Sequence, residues 1–573
     1  MSTVAEHIVT ALAEHGVTHV WGVVGDALNP LTDAIRREER VEWVGVRHEE
    51  VGAFAASAQA QLGAPLGVVM GTVGPGSVHL LNGLYDAKKS HAPVLAICGQ
   101  VPSGDIGTDF FQEVDNDVLF SDVAVWARTL TSVEQLPHVL EQGVNAALAQ
   151  GGVAVLTIPG DVGDLELPQD TPLPRFAPAG VPAPAPEVQV AAVAELLAGD
   201  AEVTLLVGHG ALGAREEVLE LAERLAAPMV LTLKAKEGLE RDNPYEVGQS
   251  GLIGNPAAAH AMDSCDVLVL IGSDFPYRDW YPSGKTVVQL DVRGSHIGRR
   301  VPVDLALVGD AAGTLRALLP RLTPRTDRGH LDAARREYEQ WHERQRSLLD
   351  PGHDRRLLGR VRAVFDNPDT RIRPEAVADA VDRHAADDAV LTADTGMSTA
   401  WVARHVTMRG TRRLVGSFNL GSMANAVPMA LGASALDRDR QVVAMAGDGG
   451  LMMLLGDLRT AVTYRLPVTV VVFDNGRLGM VKLEQEQGGL PEFGTELDNP
   501  DLAAVATAMG LTARRVEDPA DLDDAVRWAL GHDGPTLLDV VTNPDEVAVP
   551  PKPTVSQGWG FAIAKTKEAF ESR

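Results

Sequence analysis

The 573-residue chain carries 78 acidic against 50 basic side chains, a formal charge of −28, and is 45% hydrophobic and 22% charged. That length exceeds a single hydrophobic core and predicts about three domains of an ordinary soluble protein, while the acidic balance excludes nucleic acid and electrostatic docking on an anionic leaflet. Only Cys98 and Cys265 are present, both inside apolar runs, which excludes a disulfide framework or thiolate metal site and leaves both as small core residues.

The N-terminal stretch MSTVAEHIVTALAEHG has no basic n-region and no long apolar core, so it does not read as a signal peptide. No uncharged apolar run reaches the ~18 residues of a membrane span, and the expectation is a soluble, cytoplasmic protein. Helical spacing over residues 4–15 (Val4, Ile8, Val9, Leu12) leads through Gly16 into a strand that ends at Gly25. Helices alternating with the strand runs LGVVMGTVG, PVLAICG and GVAVLTIPG predict a parallel, doubly wound first domain over 1–165. Within it Glu49 follows the strand run VEWVGV and precedes an alanine-rich helix. An arbitrary carboxylate there is explained by the helix dipole alone. The segment 71–87, GTVGPGSVHLLNGLYDA, supplies close glycine turns with His79 and Asn82 as candidate polar lining, and CGQVPSGDIGTDFFQE follows with Phe111 and Gln112. The proline-rich stretch 166–187 reads as an extended interdomain linker.

A second α/β unit over 188–320 carries the strand runs VTLLVGHG, PMVLTL, VLVLIGSDFP and TVVQLDV. A charged helical connector, 321–372, reads as a solvated face without chemistry. The third domain, 373–545, contains AVLTADTG, RLVGSFN, VVAMAGDGG and VTVVVFDN, and a tail occupies 546–573. The fold class is therefore α/β, with three doubly wound parallel-sheet domains, the first and third alike in architecture. In the third, Gly447-Asp448-Gly449-Gly450 and Asp474-Asn475-Gly476 each follow an apolar strand run, where open α/β sheets place ligands. A carboxylate and an amide oxygen are hard donors that suit Mg²⁺, which takes its other ligands from phosphate and water. A helix starting after Gly449-Gly450 is expected to add amide donors for those phosphates.

The order strand, GDGG, helix, strand, DN resembles the diphosphate-and-magnesium motif of thiamine-diphosphate enzymes. That resemblance implies a metal held by Asp448, the Asn475 side chain and the Arg477 carbonyl. Many members have Asn-Asn where this chain has Asp474-Asn475, a departure at the non-ligating residue. Glu49, in VRHEEVGAFAASAQA, resembles the glutamate that hydrogen-bonds the cofactor's aminopyrimidine and relays a proton, with Glu50 as the neighbouring alternative. GSFNLGSMANAVP resembles the segment clasping that ring: the Gly421 carbonyl accepts from the amine, Met423 wedges the cofactor into its bent form, and Ser422 and Ala424 complete the contact. Thr395 and Gly396 of ADTGMS, Asp448, Gly449, Gly450, Asn475, and Arg477, Leu478, Gly479 and Met480 of GRLGMVK complete the implied thiamine-diphosphate contacts. SGLIGNPAAAHA, IGSDFPYRDW and VVQLDVRGSHIG resemble the FAD-binding domain of pyruvate oxidases, the quinone-linked ones most closely. The implied flavin contacts are Gly251, Leu252, Ile253, Gly254, Ser273, Asp274, Phe275, Pro276, Tyr277, Arg278 and Asp291. In flavin-containing relatives Phe111 and Gln112 face the substrate. The resemblance spans roughly residues 3–560.

The implied activity is oxidative decarboxylation of pyruvate or a related 2-oxo acid to acetate or an acetyl product and CO₂. It runs through a thiamine-diphosphate enamine oxidised by FAD, with electrons passed to quinone or another acceptor. The implied active unit is at least a homodimer, with a tetramer expected, because Glu49 of one subunit meets Asp448 and Met423 of another. Two alternatives stand beside it: an acetolactate synthase-like carboligase with a non-redox flavin, and a non-catalytic regulatory homologue. Glu484 occupies a position where synthases carry tryptophan, which speaks for the oxidase, whereas Met480 matches the synthases. The tail SQGWGFAIAKTKEAFESR offers Trp559, Phe561, Ile563 and Phe570 with Lys565 and Lys567. It is short for an independent helix, so membrane association is expected to be weak or absent, at most peripheral at the inner membrane face.

Overall fold

Each of three sheets is built from six parallel strands, and the order of those strands fixes where a ligand can enter. The computed structural model describes residues 2–177, 180, 182–349 and 371–545. The first sheet comprises β1 (His19–Gly22), β2 (Glu42–Gly45), β3 (Gly67–Gly71), β4 (Val94–Gln100), β5 (Ala124–Thr129) and β6 (Val153–Pro159), in the order β2-β1-β3-β4-β6-β5. The second comprises β7 (Val203–Val207), β8 (Met229–Leu231), β9 (Glu246–Gln249), β10 (Val267–Ile271), β11 (Thr286–Asp291) and β12 (Leu305–Val308), in the order β12-β11-β10-β7-β8-β9. The third comprises β13 (Val390–Ala393), β14 (Arg413–Gly416), β15 (Val442–Gly447), β16 (Val468–Asp474), β17 (Thr512–Val516) and β18 (Thr536–Val541), in the order β14-β13-β15-β16-β18-β17. Numbered within each domain, the first and third sheets share the order 2-1-3-4-6-5. The second has 3-2-1-4-5-6 read from its β9 edge, the order of dinucleotide-binding sheets.

The central strands form because they are continuous apolar runs covered on both faces by helices. All of β10 and all of β16 are buried. The first and third domains dock through helix Glu49–Gln61 on helix Ala426–Leu436. Alanine and glycine dominate both, so the backbones approach closely: a Cβ on Gly432 would sit 2.4 Å from the Ala55 carbonyl oxygen.

One expectation changes. The connector helix Gly329–Leu348 is not merely a solvated face, because Leu331, Ala334, Tyr338 and Trp341 on one side are buried in the second domain's core. Those residues recur every three or four positions and bury a stripe against helix Pro256–Ser264, while the charges face out. The proline-rich stretch also ends packed: Asp310 donates its amide to the Ala183 carbonyl, and Ala185 donates to Thr314 Oγ1 at 2.8 Å. No helix among the described residues is long and apolar enough to cross a membrane. The tail 546–573 lies outside the described residues.

Candidate functional site

The strand order of the third sheet reverses between β13 and β15, and a cavity of about 80 Å³ lies there. Thr395, Gly396, Met423, Asp448, Gly449, Gly450, Asn475, Arg477, Leu478, Gly479 and Met480 all line it, together with Trp401, Thr542 and Asn543, which sequence reading did not name. Asp448 is 3% exposed. Its Oδ1 accepts from the Gly449 amide at 2.9 Å, and its Oδ2 accepts from the Gly476 amide at 2.8 Å and Asn499 Nδ2 at 2.7 Å. Burial pushes its pKa up to about 7 against the pull of those amides, and the neighbouring Asp474 carboxylate adds to the rise. Asp474 itself turns from the cavity and accepts from Asn499 at 3.0 Å and Arg515 at 3.2 Å. The helix begins at Asp448 rather than after Gly450, because Gly447 already provides the extended N-cap.

Asp394, 1% exposed, ties the three loops of this cavity together. It accepts from the Thr395 amide at 3.0 Å and from Asn425 Nδ2 at 3.2 Å, with further backbone bonds from the 424–425 and 447 loops. Its pKa, too, is pushed up to about 7 by burial. A Cβ on Gly450 would lie 1.8 Å from its carboxylate, so glycine there is what admits the pin. Met423 Cε lies 3.4 Å from where a Gly449 Cβ would be, and Ala424 beside it holds a left-handed φ of 68°. Around Gly396 (φ +126°) and Gly447 an added Cβ would meet nothing within 4 Å, so this wall is open.

A second cavity, of about 480 Å³, opens at the reversal point of the second sheet between β7 and β10. The turns after those strands interlock: a Cβ on Gly208 would be 2.2 Å from the Gly272 carbonyl oxygen. Leu252, Ile253, Asp274, Phe275, Pro276, Tyr277 and Asp291 line it. Gly251, Gly254, Ser273 and Arg278 do not. Gly251 and Gly254 shape the loop instead, the first at φ +95° beside the Phe275 ring, the second 2.2 Å by its missing Cβ from the Gln249 carbonyl. Ser273 is buried and accepts weakly from the Phe275 amide at 3.4 Å, and Arg278 is exposed. Basic groups missed in the sequence line this cavity: His91, His209, Lys234, Arg293 and His296. Lys234 Nζ donates to Ser90 Oγ at 2.8 Å, and Arg293 reaches His91 Nδ1 at 2.7 Å. Burial and the Arg293 charge hold His91 down at about 4. Thr395, Gly396 and Met480 line both cavities, and Gly421 faces the larger one.

Glu49 lines neither cavity. It is 7% exposed, at the first turn of its helix, and its Oε2 is 2.9 Å from His79 Nδ1. Its Oε1 lies 3.2 Å from where Gly76 would carry a Cβ, so the Gly-Pro-Gly loop presses on it. Glu50 turns instead to Asn82, which also donates to Ser422 Oγ of the third domain at 2.8 Å. Phe111, 77% exposed, and Gln112, at φ 66° with its carbonyl against Gly74, sit beside the same loop. Glu484 is exposed on helix Gly479–Gln487. None of these three reaches either cavity. Ala424 and Ser422 stand behind the cavity wall rather than on it.

Three profiles of the thiamine pyrophosphate enzymes match the chain: the N-terminal TPP binding domain over residues 2–119, the central domain over 190–318 and the C-terminal TPP binding domain over 394–540. A Bacillus subtilis protein described as thiamine pyrophosphate-containing is 37% identical over 574 residues, covering 100% of this chain and 97% of its own. The pyruvate oxidase of Lactiplantibacillus plantarum is 31% identical, covering 99% of this chain and 92% of its own. The large subunit of acetolactate synthase isozyme 2 of Escherichia coli is 32% identical, covering 94% and 95%.

Proposed function

Since the chain belongs to the thiamine pyrophosphate enzyme family, we propose that it is an oxidase of pyruvate or a closely related 2-oxo acid. It would use thiamine diphosphate, Mg²⁺ and FAD and pass electrons to quinone or another acceptor. The observation that carries this reading is the large cavity. It opens at the reversal point of a sheet with dinucleotide-binding strand order, and it shares Thr395, Gly396 and Met480 with the thiamine cavity. A flavin there would lie beside the thiamine cavity.

The residues present fit the groups. Asp448 presents a buried carboxylate with Asn475 beside it, a hard-donor pair for Mg²⁺. The open wall at Gly396 and Gly447 leaves backbone room for a diphosphate. When bound, thiamine diphosphate supplies the carbon nucleophile and electron sink for decarboxylation, and FAD the two-electron oxidant. The chain does the rest. Met423 stands over Gly449 and would hold a bound cofactor bent; Glu49, its Oε2 2.9 Å from His79 Nδ1, would hold and return a proton. Because Glu49 lines neither cavity of its own chain, the reading places it at the cavity of a second copy, in a homodimer or larger assembly. The test is spectroscopic. The purified protein should be yellow, and anaerobic pyruvate should bleach the flavin within a turnover and yield acetate or an acetyl product. A carboligase is the second reading, favoured by Met480, which stands on the shared wall and matches the synthases. It predicts acetolactate with the flavin left oxidised, and that result would replace the oxidase reading.

A further inference from the structure

We propose a second metal site, for a borderline transition ion such as Zn²⁺, formed by His48, Glu49 and His79. It is distinct from the Mg²⁺ site at Asp448. Among the described residues this is the one group of three His, Cys, Asp or Glu donors whose ligand atoms all lie within 4.8 Å of one another. Local structure makes the grouping. His48 is the N-cap of helix Glu49–Gln61, Glu49 is its first residue, and His79 closes the short helix Pro75–His79. The two imidazoles stack at 4.4 Å with 23° between their planes, and Glu49 Oε2 already lies 2.9 Å from His79 Nδ1.

Two imidazoles and a carboxylate are a borderline donor set that favours zinc, nickel or copper over magnesium. Donors around one tetrahedral zinc lie roughly 3.4 Å apart; Glu49 Oε2 and His79 Nδ1, at 2.9 Å, are already within that spacing, so closing the site means drawing His48 in and splaying the two stacked rings. In the single chain the His48 and His79 side chains are 38% and 43% exposed and that of Glu49 is 9% exposed. Three protein donors leave one position for water or a small ligand, the arrangement of an open rather than a structural zinc site.

The consequence rests on the reading of Glu49 as the cofactor's proton partner. A carboxylate bound to an ion is not available to the aminopyrimidine, so the ion and thiamine diphosphate exclude each other and the site makes the enzyme sensitive to transition metals.

The experiment is calorimetric titration of the full-length protein, freed of thiamine diphosphate, with zinc sulfate and separately with magnesium chloride. One zinc per chain is expected at this site. Its affinity should survive Asp448→Ala but fall more than about 100-fold in His48→Asn/His79→Asn, since even outer-shell changes cost 10–100-fold. Flavin content and melting temperature check that the variant is folded, and zinc-edge X-ray absorption of the unaltered protein should show imidazole ligation. No zinc uptake, or uptake unchanged in the double variant, would overturn the site. If zinc binds through the histidines yet saturating thiamine diphosphate leaves its affinity unchanged, the metal site stands and the Glu49 reading falls.

Discussion

At Asp448 the chemistry of a single carboxyl sets a pH window. Its folded pKa of about 7 lies well above the ordinary 3.8, so between those values the folded chain holds a proton the unfolded chain has lost. Stability from this group is therefore full at the acid end and declines as pH rises through 7. Metal binding has the opposite sign, because the ligand must be deprotonated. Magnesium-dependent thiamine-diphosphate affinity should rise about tenfold per pH unit from 5.5 to 7 and then level off; titrating cofactor at several pH values checks it, and a flat profile would remove Asp448 from the metal. The GDGG and DN residues were legible in the sequence because they are contiguous motifs behind apolar runs. Asp394 and Asn499 were not. Their partners lie dozens of residues away, at 425 and 450 for one and at 448 and 474 for the other, and no local pattern marks an aspartate that pins loops or an amide in an irregular stretch. The Asp474 carboxylate is met by Arg515 at 3.2 Å, which it shares with Asp539.

Between elements, the decisive contact is helix Glu49–Gln61 against helix Ala426–Leu436. Gly432 faces the Ala55 carbonyl with no room for a side chain, so Gly432→Val must push the helices apart. Overpacking of this kind costs about 1–3 kcal/mol, and at about 2–4 °C per kcal/mol for a domain of 150–250 residues a melting scan will read it. An unchanged melting temperature would mean the two helices do not pack this way in solution. Strand legibility followed burial. Most runs visible in the sequence are central strands buried on both faces, with the edge strands β2 and β14 marked by short apolar runs, whereas β5 (AVWART) and β17 (TARRV) are edge strands with arginines and little continuous apolar character. β18 is central, yet Asp539 interrupts its run; that carboxylate is buried only because Arg515 meets it. The stripe of Leu331, Ala334, Tyr338 and Trp341 was present in the connector sequence but diluted by the charges around it.

For the whole molecule the question is whether one chain contains a complete site. Glu49 stands on the first domain with Phe111 beside its loop, and Asp448 lies in a cavity that Glu49 does not line. If the site is shared between copies, mixing the inactive variants Glu49→Gln and Asp448→Ala under conditions of subunit exchange should restore about a quarter of wild-type activity, since half the dimers carry one intact site of two. Activity that stays at the level of the separate variants would place the whole site within a single chain. The first and third domains share one strand order because topology is set by which runs are buried, not by which residues fill them.

The pin between Asp394 and Gly450 constrains how this sequence can change over time. A methyl group at 450 collides with the carboxylate, so Gly450 cannot be replaced while Asp394 remains. Shortening or neutralising Asp394 first leaves the amides of three loops without their common acceptor. Neither order of single substitutions passes through a well-formed intermediate, and the two positions, 56 residues apart in number, are expected to be inherited as one unit.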